Sequence, residues 1–173
     1  MNYLIYIYLK GVLNKAGKLT NLNHIFKLKM KNRSFLWWIF FFILSIWQFP
    51  QVLVALIMLP FIGKLKLIKQ NKFTFCYEAS KMCGGISLGS FAFLEPRLAQ
   101  IPEIVSHEAE GHIIDSYILG PLYLVIIGIP SFLHATFGFT KNYYDFYTEK
   151  LANYHAGLEI NEKGKLHFIK KKN

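Results

Sequence analysis

The first 77 residues of this 173-residue chain contain no aspartate or glutamate, although they hold eleven lysine and arginine residues. The rest of the chain holds nine basic and ten acidic residues, so the net charge of +10 comes from the first part. A basic segment of this kind binds either nucleic acid or an anionic bilayer. No recognisable nucleic-acid-reading motif accompanies the charge, and an uncharged apolar block adjoins it. We therefore predict a lipid bilayer as a partner, and no nucleic acid.

Cysteine is scarce as well, since the chain has only Cys76 and Cys83. Two cysteines are too few for a disulfide scaffold or for a zinc site built from thiolates. The sequence leaves open whether the pair is bridged across a hairpin or remains as two thiols.

Aromatic and apolar residues are abundant and lie in blocks. Residues 35–63 contain no charged residue and are longer than the ~20 residues that one membrane-spanning helix needs. We predict a transmembrane helix over 35–63, kinked near Pro50, and a tight helical hairpin is the alternative. Residues 1–34 form a basic N-terminal segment before it, in which residues 3–13 could lie along the membrane interface.

The second half of the chain predicts several shorter elements. Alternating apolar residues around Phe75 and again over 86–94 predict a β-hairpin region at 64–98. Residues 99–160 predict a helix from about Pro102 to Leu119, a broken apolar segment, and a last helix from about 142 that ends at Gly157. A basic tail follows at 161–173. The fold class predicted is a mainly α membrane protein with a small β-hairpin, apolar spans and one helix that carries the metal motif.

That motif reads Ser-His-Glu-Ala-Glu-Gly-His over residues 106–112 and nearly matches the zinc-binding pattern HExxH. In HExxH two histidines four residues apart bind zinc, and the glutamate acts as general base toward water. Here His107 and His112 are five residues apart, which separates them by roughly 140° on a regular helix. A π-bulge would bring them to one face. Alternatively Glu108, His112 and Asp115 share a stripe and could be the ligands.

The last helix offers a further ligand. Asp145, Glu149 and Asn153 recur every four residues, and Glu149 could supply a third zinc ligand. His134 and His155 are further candidates. Gly111 is costly inside a helix, by ~1 kcal/mol relative to alanine, and therefore suggests a close neighbour.

Several of these residues carry a resemblance to a family. The segments Gly111-His112, Leu119-Gly120-Pro121-Leu122-Tyr123-Leu124, Pro130-Ser131 and 146–153 resemble a group of uncharacterised bacterial membrane proteins with a His-Glu-x-Gly-His helix. The resemblance covers about residues 84–157. It implies a zincin-like site and an integral protein of the bacterial inner membrane, without a known reaction.

The chain departs from the family pattern at the motif itself. An alignment without a gap places the family's first histidine on Glu108 and removes the general base. An alignment with one inserted residue retains His107 and Glu108 and requires a bulge, and we favour this second register.

The sequence thus predicts a membrane-bound zincin-like metal protein, with zinc-dependent peptidase as its candidate activity and a peptide or protein as substrate. Zn²⁺ would be held by His107, His112 and Glu149, and Glu108 would be the catalytic base. The alternative is a non-catalytic integral membrane protein, a scaffold or partner-binding subunit, with a degenerate metal motif.

Overall fold

The computed structural model describes residues 33–169. The basic segment of residues 1–34 and the segment 3–13 within it therefore lie almost wholly outside the described residues, as does the end of the tail.

A four-stranded sheet forms the centre of the described chain. Its strands are β1 (Leu65–Gln70), β2 (Phe75–Ala79), β3 (Gly85–Leu88) and β4 (Phe91–Leu94), in the order β1-β2-β4-β3. The β2–β4 pair is parallel and the other two pairs are antiparallel. This corrects the predicted hairpin, because the residues expected to form its second strand turn back at Gly89, whose φ is +65°, and form both β3 and β4.

Two helices cover one face of the sheet: α1 (Phe35–Trp47) and α2 (Phe49–Met58). They replace the kinked transmembrane helix predicted over 35–63. The chain bends by 91° between them, where Gln48 leaves the helical conformation and Pro50, which has no N–H to donate, lies in the first turn of the next helix. Alternate strand residues such as Phe75, Tyr77 and Phe93 pack beneath these helices.

The opposite face of the sheet packs against one long helical segment, called the metal helix below. It consists of α3 (Pro102–Ser106), a π-helix (His107–His112) and α4 (Ile113–Leu119). Ala109 and Ile113 of this segment pack on Cys76, Ala92 and Leu94 of the sheet.

The remaining elements follow the metal helix. In chain order they are a 3₁₀ turn (Gly120–Leu122), a second π-helix (Leu124–Gly128), α5 (Ile129–Phe137), another 3₁₀ turn (Tyr143–Asp145) and α6 (Tyr147–Ala156). The strands β5 (Leu158–Ile160) and β6 (Leu166–Phe168) then form a small antiparallel sheet. The helix α6 ends at Gly157 in the left-handed conformation, as the sequence predicted, but the tail contributes a strand.

The predicted fold class, a mainly α membrane protein with a small β-hairpin, is therefore wrong. The described residues form a mixed α/β fold with two sheets. Among residues 33–169 no single helix is both long and apolar enough to cross a bilayer. Two helix pairs reach those limits only when their members are taken together, and these pairs are bent by 91° and 119°.

Both cysteines are free thiols; Cys76 is buried in the sheet and Cys83 is exposed. Burial, together with the charge of Glu108, raises the pKa of Cys76 to about 12, although Lys69 opposes the shift.

Candidate metal centre

The five-residue spacing of the two motif histidines is accommodated by a π-helix over His107–His112. Because a π-helix closes its hydrogen bonds between residues five apart, such residues lie above one another on one face. The ring centroids of His107 and His112 are 4.8 Å apart. The structure thus has the bulged arrangement, the first of the two that the sequence left open.

A third side chain meets the two imidazoles from α6. The Nε2 atoms of His107 and His112 lie 3.1 Å and 3.6 Å from the same oxygen, Oε2 of Glu149. Ligand atoms of a tetrahedral zinc ion with bonds of ~2.0–2.1 Å are roughly 3.3 Å apart, so both distances fit one ion. All three side chains are buried, and as a group they could hold a metal ion.

The outward nitrogen of each imidazole has its own partner. His107 Nδ1 lies 2.8 Å from Oδ1 of Asn153, and His112 Nδ1 lies 3.4 Å from Oδ2 of Asp115. A ligand histidine in a metalloprotein commonly donates its second N–H to a carbonyl or carboxylate, which fixes the tautomer and aims the other nitrogen at the metal. His107 therefore has the outer hydrogen bond of a metal ligand, whereas Nδ1 of His112 has only an ion-pair contact with Asp115 and no hydrogen-bond partner among the described residues.

Glu149 is held in the same way through its second oxygen. The hydroxyl of Ser131 donates a hydrogen bond of 2.6 Å to Oε1, and that of Thr148 donates one of 3.0 Å. These two bonds leave Oε2 directed at the histidines.

The charges of the centre are strongly coupled. Burial by itself would raise the pKa of Glu149, but hydrogen bonds from His107 and His112 and the charges of those rings hold it well below its ordinary value. Burial would lower the pKa of His112, yet the contacts with Asp115 and Glu149 and the charge of Glu108 raise it to about 10. Without a metal the cluster therefore keeps a proton at neutral pH, and a bound cation would displace it.

Gly111 explains how the metal helix reaches α6. A Cβ at Gly111 would lie 2.5 Å from the backbone oxygen of Ala152, which cannot move aside. The close neighbour expected from this costly glycine is thus the backbone of α6, the helix that carries Glu149 and Asn153.

Glu108 lies on the side of the π-helix that faces β3. Its Oε2 accepts a hydrogen bond of 2.6 Å from the hydroxyl of Ser87, and its side chain is 9% exposed. The charge of Glu108 contributes to the raised pKa of His112, so the two groups are close enough to interact.

The other candidates from the sequence lie outside the ligand cluster. Asp115 does not form the alternative ligand set with Glu108 and His112. It lies behind His112, and its carboxylate contacts Nδ1 of His155 at 2.7 Å. Asp145 is half exposed and contacts Lys150. His134 is buried in an aromatic stack and bonds to the backbone at Tyr143.

Four side chains that contact the motif residues or Glu149 were not predicted from the sequence: Ser131, Thr148, Ser87 and Asn153. Asn153 had a usable signal, because it lies four residues after Glu149 on the same helical face. Ser131 and Ser87 had none, since nothing local to the motif shows which distant hydroxyl will fold against it.

Comparisons of the chain with models of known protein families, with curated proteins and with solved structures found no match.

Proposed function

We propose that this protein is a zinc-dependent hydrolase of the zincin type that cleaves peptide bonds. The observation that carries the proposal is the convergence of two imidazole nitrogens on one carboxylate oxygen at 3.1 Å and 3.6 Å, each ring being held from behind. Catalytic zinc sites have three protein ligands and one open position, whereas structural sites have four. Two histidines and one carboxylate belong to the catalytic kind.

Zinc is the metal that we propose, because two imidazoles and one carboxylate are ligands that suit it. When bound, it would supply a Lewis acid and make water a stronger acid. The chain's own residues would then hold and move the proton. Glu108, next to the ligand His107, would accept a proton from water and return it to the amine that leaves.

The position of Glu108 supports this role over that of a purely structural carboxylate. Its carboxylate lies under Gly85, an exposed residue of β3 without a side chain. Glu108 keeps 9% of its surface exposed, whereas Glu149 is fully buried.

The test uses purified, zinc-loaded full-length protein and a mixed peptide library read by mass spectrometry. We expect cleavage by the wild type, and a loss of about 10²–10⁴-fold in the Glu108→Gln variant, which is the usual contribution of a general base. The variant should keep its zinc, because Glu108 is not a proposed ligand. Zinc binding without any cleavage would favour a non-catalytic protein, and full activity in Glu108→Gln would exclude the mechanism.

We also propose that the protein is bound to a lipid bilayer. No charged residue lies between Arg33 and Lys64, and the only carboxylate between 112 and 140 is that of the buried Asp115. Both stretches expose large apolar side chains, among them Phe35 (78% exposed) and Val125 (66%). An apolar surface of this extent marks an interaction site.

The two apolar stretches adjoin one another and have a basic border. The indole of Trp47 donates a hydrogen bond of 2.9 Å to the backbone oxygen of Tyr117, which joins α1 to the end of the metal helix. Arg33 and Lys64 are the first charged residues at the two ends of the α1–α2 stretch. Apolar faces with cationic edges fit the acyl chains and anionic headgroups of a bilayer.

Flotation with vesicles that contain anionic lipid tests this second proposal. We expect the wild type to float and the double variant Val125→Asp/Phe132→Asp to float less. If the wild type does not float with the vesicles and instead migrates in solution as a discrete dimer, the apolar face would be assigned to a second copy of the chain.

A further inference from the structure

We infer that Ser87 and Gly85 of β3 are positioning residues that fix the carboxylate of Glu108. The inference rests on the proposed function, in which Glu108 is the catalytic base. Neither residue belongs to the metal motif, and within residues 33–169 neither forms a hydrogen bond with His107, His112 or Glu149; both act through Glu108.

Ser87 holds one oxygen of the carboxylate. Its buried hydroxyl lies 2.6 Å from Oε2 of Glu108 and 3.0 Å from the backbone oxygen of the same residue. A hydroxyl has one proton, so it donates to the nearer and charged acceptor. The backbone of Ser87 is fixed in turn, because its carbonyl oxygen accepts a hydrogen bond of 3.1 Å from the buried hydroxyl of Tyr123.

Gly85 makes room for the other oxygen. A Cβ at Gly85 would lie 2.6 Å from Oε1 of Glu108 and 2.8 Å from Cδ2 of Leu94. Both atoms are ends of side chains, so an added methyl group would displace them without breaking the backbone. The backbone of Gly85 does not have the positive φ of its neighbour Gly84, at +98°, so alanine fits its conformation.

Substitutions at these two contacts should change the position of the Glu108 carboxylate and leave the fold intact. Gly85→Ala should move Glu108 while the protein remains folded and keeps its zinc. A displacement of about 1 Å in a reacting group can cost about 10²-fold in rate. Ser87→Ala should leave Oε2 without its donor and lower kcat by about tenfold or more, because a hydrogen bond to a carboxylate is stronger than one between neutral groups.

Two control variants make comparable changes away from Glu108. Ser90→Ala removes another buried hydroxyl near the same strands, one that contacts Gln48 and Tyr117 and not Glu108. Gly84→Ala adds a methyl group to the neighbouring residue, where it would meet nothing within 4 Å but would strain the backbone. We expect Ser90→Ala and Gly84→Ala to lower stability and leave kcat within about twofold.

The experiment measures kcat, KM and zinc content of the zinc-loaded wild type and of these four variants, together with Ser87→Thr. We expect Gly85→Ala and Ser87→Ala to lower kcat with KM and zinc content unchanged, and Ser87→Thr to recover most of the loss. Values of kcat within twofold of the wild type in both alanine variants would overturn the inference.

A second readout keeps the inference testable if the wild type has no peptidase activity, which would overturn the proposed function alone. Infrared difference spectra of protein labelled with ¹³C-glutamate identify the Glu108 carboxylate band by its loss in Glu108→Gln. We expect this band to shift in Ser87→Ala and Gly85→Ala and to stay in place in Ser90→Ala. An unshifted band in the first two variants would show that β3 does not hold the carboxylate.

Discussion

Two buried polar clusters share the metal helix, and they differ in where their polar atoms point. The first, called the amide cluster, consists of Gln48, Gln51, Ser90 and Ser116. Its amides and hydroxyls bond mainly to one another, as in the 3.0 Å bond from Gln48 Nε2 to Ser116 Oγ. The second is the metal cluster of His107, His112 and Glu149. The outer atoms of His107 and Glu149 are hydrogen-bonded to neighbours and that of His112 contacts Asp115, while three inner atoms face each other.

The difference separates a cluster that holds the fold together from one that could hold a metal ion. The amide cluster is neutral and needs nothing more, apart from one oxygen of Gln51 that has no partner among the described residues. The metal cluster combines the deprotonated carboxylate of Glu149 with His112, whose pKa is raised. A bound cation can replace the proton of His112 as the positive charge beside that carboxylate. Four substitutions test whether the two clusters differ in this way, and their expected effects decrease from Gly111→Ala to Glu110→Gln.

Gly111→Ala should damage the metal cluster most. The new methyl group would meet the backbone oxygen of Ala152 at 2.5 Å, so α6 must move away and take Glu149 with it. We expect loss of bound zinc and a fall of about 1–3 kcal/mol or more in the free energy of unfolding, as for other overpacked positions. Zinc content and urea unfolding measure both, and retention of full zinc would mean that the helix contact does not set the ligand geometry.

Asn153→Ala should weaken metal binding without abolishing it. The variant removes the group that orients His107 through Nδ1 at 2.8 Å and leaves all three proposed ligands in place. Loss of such an outer contact typically costs 10–100-fold in metal affinity. Competition with a zinc-binding dye measures the affinity, and an unchanged value would argue against His107 as a ligand.

Gln51→Ala should affect the amide cluster alone. Its amide donates to the backbone oxygen of Gly120 and to Ser116, so the variant leaves a buried acceptor unpaired, at a cost of about 1–3 kcal/mol of stability. Zinc affinity should match that of the wild type. A parallel loss of zinc would show that the two clusters are not independent.

Glu110→Gln should have the smallest effect on the free energy of unfolding, and this effect should depend on pH. Burial would raise its pKa, but hydrogen bonds from Ser106, Lys69 and Asn71 lower it below the ordinary value of 4.5. Because the pKa is lower in the folded state, the stabilisation is present above the unfolded value and is lost as the pH falls through the folded one. The stability difference between wild type and Glu110→Gln should therefore shrink as the pH falls from above 4.5 through the folded-state pKa, and a difference that grows would contradict this sign.

The three residues that converge in the candidate site could be predicted from the sequence better than the fold. The spacing of His107 and His112 left a bulge as one of two solutions, and periodicity placed Glu149 and Asn153 on one face, because both arguments are local. The bend after Trp47 was underestimated, since nothing local shows that Gln48 and Gln51 turn inward to meet Ser116. The strand pairing was wrong because the parallel contact of β2 with β4 depends on which strands meet in space.

X-ray absorption at the zinc edge of the purified protein, compared with that of His112→Ala, is the decisive test of a zinc site at His107, His112 and Glu149. We expect about one zinc per chain with nitrogen and oxygen ligands at ~2.0–2.1 Å and no sulfur, and loss of that zinc in the variant. Absence of zinc after loading, or a spectrum dominated by sulfur ligands, would contradict the account.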